Sequence, residues 1–89
     1  MARISFTPNL ARLVETPQAQ VSGSVLRTAL GEYFQLFPQV RSYVLDDQGE
    51  VRKHVAIFID NELIRDRKKL SDPLQENSDI FVAQALSGG

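Results

Sequence analysis

The chain has 89 residues, with 10 lysines and arginines against 11 aspartates and glutamates, for a formal net charge of −1. That length holds one small core, and 43% hydrophobic with 24% charged residues excludes wholesale disorder and a fibrous repeat. No basic excess draws the chain to nucleic acid or anionic lipid, no apolar run approaches the roughly 18 residues of a membrane span, and the lack of cysteine excludes disulfide and thiol chemistry.

Met1-Ala2-Arg3-Ile4-Ser5-Phe6 has no apolar stretch of the secretory kind, and together with the missing cysteines it sets a cytoplasmic expectation. Ala2, Ile4 and Phe6 alternate with Arg3, Ser5 and Thr7, which predicts a first strand with one buried face, ended by Pro8-Asn9. A loop from Pro8 to Pro17 leads to Gln18–Ser22, the returning arm of a hairpin. From Val25 to Phe37, Leu26, Ala29, Leu30, Tyr33 and Phe37 form the stripe of one helix face, with Ser24 as the expected cap and Pro38 as the stop. Gly31 in this helix costs about 1 kcal/mol relative to alanine, an expense that burial of the stripe must offset.

Tyr43-Val44-Leu45 reads as extended and Asp46-Asp47-Gln48-Gly49 as a turn. Val55, Ile57 and Ile59 then alternate with His54, Ala56 and Phe58, and Asp60-Asn61-Glu62 turns the chain into Leu63-Ile64, a predicted hairpin. Arg65 to Lys69 form a charged loop, Leu70–Leu74 a short helical turn, Asn77-Ser78-Asp79 a further turn, and Ile80–Leu86 a last apolar strand. The order predicts an α+β domain over residues 1–86, a mixed sheet of about four to five strands packed on one main helix, followed by a flexible tail over 87–89. Pairing the first and last strands in parallel at the sheet centre would send the C-terminus out as a free end.

The motifs of an autonomous enzyme are missing: there is no phosphate-cradling glycine loop and no cluster of metal-ligating type. His54 is a solvated surface histidine rather than a lone catalytic base, and Asp46-Asp47 form a turn rather than a carboxylate pair. Arg65-Asp66-Arg67-Lys68-Lys69 is either a solvated loop or a docking patch for an acidic partner. The distinctive feature is Gly88-Gly89. Without a Cβ, these residues can thread a channel too narrow for side chains and bring the α-carboxylate to another protein's active site. That carboxylate, with a reference pKa of roughly 3.3–3.7, is a poor electrophile and requires activation, for instance as an acyl-adenylate made by a separate ATP-using enzyme.

Four stretches resemble the β-grasp sulfur carriers of the MoaD/ThiS type, relatives of ubiquitin. His54–Arg65 is similar to their strand-turn-strand, Leu70-Ser71-Asp72 to the ubiquitin "LSD" turn, Asn77–Val82 to the entry into their last strand, and Leu86-Ser87-Gly88-Gly89 to their reactive terminus. The resemblance implies a ubiquitin-like β-grasp fold and a protein cosubstrate rather than an enzyme. In such carriers an E1-like enzyme uses ATP to adenylate the terminus, here Gly89, with Gly88, Ser87 and Leu86 as its approach. A sulfur donor then converts it to a thiocarboxylate, and a sulfur-accepting enzyme consumes that sulfur for a cofactor or amino acid. The longer Pro38–Arg52 segment resembles the cysteine-synthesis or molybdopterin type, in which the carrier can be the small subunit of an enzyme complex. The carrier itself holds no cofactor or metal. Ala83–Ser87 departs from the family by lacking proline in the approach. A ubiquitin-like modifier joined through Gly89 to lysines is the alternative, and a plain binding module a third. Alternation places Val55, Ile57, Ile59, Ile80 and Val82 toward the helix, leaving Phe58, Phe81 and Ala83 on the opposite face as the expected partner-binding surface.

Overall fold

A computed structural model describes residues 1–11 and 15–84. The alternating segments become strands β1 (Ala2–Phe6), β2 (Ala19–Val21), β3 (Val55–Ile59), β4 (Glu62–Leu63) and β5 (Asp79–Gln84). They form one sheet in the order β2-β1-β5-β3-β4. Only β1 and β5 pair in parallel, at the centre, with Ile4 beside Ile80 and Phe6 beside Val82. Ala2, Ile4, Val55, Ile57, Ile80 and Val82 are all buried on one side, as the period of two requires. The long helix α2 (Leu26–Leu36) packs there through Leu26, Ala29, Leu30, Tyr33 and Phe34. Tyr33 is the largest fully buried side chain; its ring meets those of Phe6, Phe34 and Phe37 at centroid distances of 5.1, 6.0 and 5.0 Å. Its hydroxyl donates to the Pro17 carbonyl at 2.7 Å.

Several local expectations are corrected. Ser24 does not cap α2: Val25 occupies the N-cap with extended φ and ψ and no side-chain hydrogen bond. The first helical amides are satisfied at long range instead, Leu26 N–H by the Asp72 carbonyl and Arg27 N–H by the Leu70 carbonyl, each at 2.9 Å. Backbone from another part of the chain thus fills the role of a capping side chain. The predicted helical turn over 70–74 does not form: Leu70 has φ +56° and Pro73 is bridged to Val25. Of the predicted extended Tyr43-Val44-Leu45, only Leu45 is extended, bridged to Val51; Tyr43 and Val44 are helical. Pro38–Val40 is a 3-10 turn running into α3 (Arg41–Val44), because Val40 and Val44, four residues apart, are both buried on one side of the coil. The Pro8–Pro17 loop begins with a short helix, α1 (Pro8–Ala11).

The turns obey local chemistry. Gly49 has φ +82°, and the Asp46 carboxylate accepts the amides of Gln48 and Glu50 at 2.9 and 3.0 Å, the Asx behaviour expected of a turn former. Asp60 and Asn61 both carry positive φ, as a two-residue type I′ hairpin demands. Glu62 therefore belongs to β4 and not to the turn. In the loop after β4, Asp66 accepts the backbone amides of Lys68 and Lys69 and the hydroxyl of Ser71. The Ser71 hydroxyl, with the Lys69 amide next in weight, holds the Asp66 carboxyl down at about 2. Arg67 turns inward and donates to the carbonyls of Arg52 and Val55, both at 2.7 Å, so this member of the charged run is structural.

Gly23 lies where the chain enters α2. A Cβ there would stand 2.5 Å from the Ala29 amide nitrogen, which is backbone and cannot rotate away. Gly23→Ala is therefore expected to destabilise the fold by about 1–3 kcal/mol, the range of an overpacked core site, measured as a lower urea midpoint with an unchanged slope. A midpoint equal to wild type would contradict this close approach.

Candidate functional site

The outer face of the sheet is built from the residues that alternation turns away from α2. Ser5, Phe81, Phe58 and Leu63 are register partners in one row across β1, β5, β3 and β4. Phe81 is 39% exposed and Leu63 56% exposed, while Phe58 between them is half-buried. The row toward the N-terminal end of β5 is polar: Arg3 and Asp79 are paired there, Nη2 to Oδ1 at 3.0 Å. The row on the other side holds Ala83 opposite Ala56. Along β5 the face thus passes from an ion pair to an aromatic band to small side chains in the direction of the C-terminus. At a rise of about 3.3 Å per residue, Gln84 lies roughly 10 Å beyond Phe81.

The last described turn of the path is firmly held. The Thr7 amide donates to the Val82 carbonyl at 3.0 Å, and the Gln84 amide donates to the Thr7 hydroxyl at 3.2 Å. Phe58, Phe81 and Ala83 therefore share the outer face and lie beside the route to the terminus. Leu86, Ser87, Gly88 and Gly89 lie outside the described residues, as does the end of the predicted Ile80–Leu86 strand.

Leu63 is a member of the apolar band that the sequence reading missed. The signal was present: a two-residue Asp60-Asn61 turn pairs Ile59 with Glu62 and Phe58 with Leu63, whereas counting Glu62 into the turn shifts the register by one and reverses the faces. Under the turn, the Asp60 carboxylate accepts the Ser78 hydroxyl and the Asp79 amide, each at 3.0 Å, joining the hairpin to the start of β5. His54 stands next to β3, away from the apolar band, and among the described residues no three His, Asp or Glu side chains are grouped to hold a metal. No helix among the described residues is long and apolar enough to cross a membrane.

A mixed five-stranded sheet with parallel central strands and one main helix across a single face is the β-grasp arrangement, and the chain is an α+β protein of that fold. No family model matches the chain, and no curated protein matches its sequence. Solved structures do match. Small archaeal modifier protein 1 from Methanosarcina acetivorans gives a TM-score of 0.79 at 20% identity, over 99% of this chain and 95% of that one. The matched chain in the Amycolatopsis orientalis BexX/CysO complex gives 0.82 at 10% identity over 100% of both chains. Mycobacterium tuberculosis CysO gives 0.78 at 16% identity over 97% of this chain and 100% of that one. At such identities the likeness is one of fold.

Proposed function

We propose that this chain is a cytoplasmic sulfur carrier whose reacting group is the α-carboxylate of Gly89. The observation that carries the reading is the pair Gly88-Gly89 five residues or fewer beyond a central strand anchored by Thr7, on the fold shared with CysO. In an E1-like enzyme's site the carboxylate attacks the α-phosphorus of ATP, pyrophosphate leaves, and an acyl-adenylate forms. A hydrosulfide-level donor then adds to the carbonyl carbon, AMP departs, and the thiocarboxylate remains to pass its sulfur to an accepting enzyme in cofactor or amino-acid synthesis of the cysteine or molybdopterin type. The chain's own contribution is positional. Gly88 and Gly89 present no side chain to the channel, and Phe58, Phe81 and Ala83, with Leu63, form the surface on which the partner enzymes seat.

That CysO has been solved in complex with BexX supports seating on a partner protein. Full burial of a large apolar side chain contributes about 1.5–3 kcal/mol; with Leu63 and Phe81 56% and 39% exposed and Phe58 already half-buried, docking on the band offsets part of ordering a five-residue tail at about 1–2 kcal/mol per residue.

The decisive measurement is intact mass after incubation with the cognate activating enzyme, ATP and a sulfide source. The expected product is the full chain heavier by the exchange of one oxygen for sulfur, lost on alkaline hydrolysis. An unchanged mass under conditions where the enzyme consumes ATP would refute the carrier reading. The likeness to a small archaeal modifier favours a second reading, an isopeptide bond from Gly89 to lysines of other proteins. Denaturing pull-down separates the two, since only a modifier leaves conjugates of higher mass.

A further inference from the structure

On the helix side of the molecule, remote from the apolar band of the sheet, a cleft of about 590 Å³ opens between α2, the segment around α3 and the loop that carries Lys68 and Lys69. Its floor is one face of α2, where Leu30, Gly31 and Phe34 follow one another at helical spacing, closed off by Leu45 and Leu70. Gly31 is the reason the floor is open. Nothing lies within 4 Å of the position a Cβ would take there, so packing does not demand glycine, although glycine in a helix interior costs about 1 kcal/mol relative to alanine.

The rim is cationic. Arg27, Arg41, Lys68 and Lys69 line the cleft, and no aspartate or glutamate does, in a chain whose net charge is −1. None of the four enters an ion pair among the described residues, where the only such pair is Arg3 with Asp79. Two acids close in sequence to the rim, Asp46 and Asp66, are turned to backbone. Asp46 accepts the amides of Gln48 and Glu50, and Asp66 accepts those of Lys68 and Lys69, which also fixes the loop from which these lysines project.

We propose that this cleft docks an acidic segment of a partner protein, an apolar side chain entering over Gly31 while flanking carboxylates meet Arg27, Arg41, Lys68 and Lys69. Volume and lining fit a ligand site, an apolar floor with a few charged groups at its edge. The four cations are exposed and belong to three separate elements. Such a rim suits carboxylates spaced along a peptide. A compact anion such as phosphate calls for converging buried donors, and the lining has no buried polar residue. Acidic complementarity raises the association rate and selects the partner. This site is separate from the Gly89 chemistry, so its test does not depend on the carrier reading.

The test is a titration of the full-length isotope-labelled chain, followed by amide chemical shifts, with a synthetic peptide of glutamates alternating with leucines. The same peptide with lysines for glutamates, ATP and inorganic phosphate serve as competing probes. The amides of Gly31, Gln35, Gly49 and Lys69 are expected to shift, with affinity falling as salt rises. Joint charge reversal, Arg41→Glu with Lys69→Glu, is expected to weaken binding by about tenfold or more. Gly31→Met should block the floor while keeping or raising the melting temperature, which separates a filled cleft from a damaged fold. Shifts confined to the sheet face, equal binding by both variants, no binding of the acidic peptide, or stronger perturbation of these amides by ATP or phosphate would each overturn the proposal.

Discussion

Removing Gly88 and Gly89 together is expected to abolish acyl transfer with the fold intact, whereas Phe58→Ser with Phe81→Ser is expected to preserve the chemistry and weaken its delivery. The two lesions act at different points of one path. Without the glycines the terminal carboxylate belongs to Ser87, which is set back along the chain and carries a side chain into the channel, so pyrophosphate release falls to background at any concentration of carrier. The aromatic lesion leaves the reacting atoms in place. Loss of a buried aromatic anchor is worth about 2 kcal/mol, or roughly thirtyfold in affinity, and interactions equal in ground and transition states appear in KM with kcat retained. Phe58 and Phe81 are also a directly opposed cross-strand pair, so their replacement costs the domain about 0.2–1 kcal/mol in the pair contact alone, with lost burial in addition, to be measured beside the kinetics. A thiocarboxylate mass shift persisting on the chain without its glycines would end the carrier reading, and an unchanged KM for the double serine variant would remove the sheet face from it.

Tyr33→Ala should have the largest effect on stability, about 3–5 kcal/mol, the range for truncating a buried aromatic. For a chain of 89 residues, native stability of roughly 0.05–0.15 kcal/mol per residue is about 4–13 kcal/mol, so such a loss takes roughly a quarter or more of it and the urea midpoint should fall sharply. Tyr33→Phe isolates the hydroxyl. It preserves the contacts with Phe6, Phe34 and Phe37 but removes the donor to the carbonyl of the exposed Pro17, at an expected cost of about 0.5–1.5 kcal/mol. The same variant carries a pH signature. Burial pushes the Tyr33 phenol up to about 12 from 10.0, so folding favours its protonated form. That contribution is complete below pH 10 and is lost as pH rises from there through 12. Wild type should therefore lose stability across that alkaline window more steeply than Tyr33→Phe, by urea titration at a series of pH values. Parallel curves would show that Tyr33 is not the buried phenol responsible.

Much of this architecture is written in local pattern. The period of two in Ala2–Phe6, Val55–Ile59 and Asp79–Gln84, and the helical stripe of Leu26, Ala29, Leu30, Tyr33 and Phe37, each state which side chains must leave water. Ala2, Ile4, Val55, Ile57, Ile80, Val82, Leu26, Ala29, Leu30 and Tyr33 obey, whereas Phe6, Ile59 and Phe37 are only partly buried and Phe34, outside the predicted stripe, is buried. From it follow the sheet, the helix across one face, and the outward placing of Phe58, Phe81 and Ala83. The missed Leu63 was a matter of counting one turn residue, after which alternation alone assigns it to the band.

What the sequence alone determined is thus every feature enforced by neighbours a few residues apart: strand faces, the helix stripe, the Asp46–Gly49 turn and the terminal pair of glycines. Tertiary structure alone decided the carbonyls of Leu70 and Asp72 that take the place of a Ser24 cap, the inward turn of Arg67, the helical path of 41–44, and the gathering of Arg27, Arg41, Lys68 and Lys69 around Gly31. These join groups far apart along the chain, or depend on which surface of a short segment finds apolar cover. Hydrogen-bond satisfaction and burial are set by whatever the fold brings alongside, and local spacing holds no record of it.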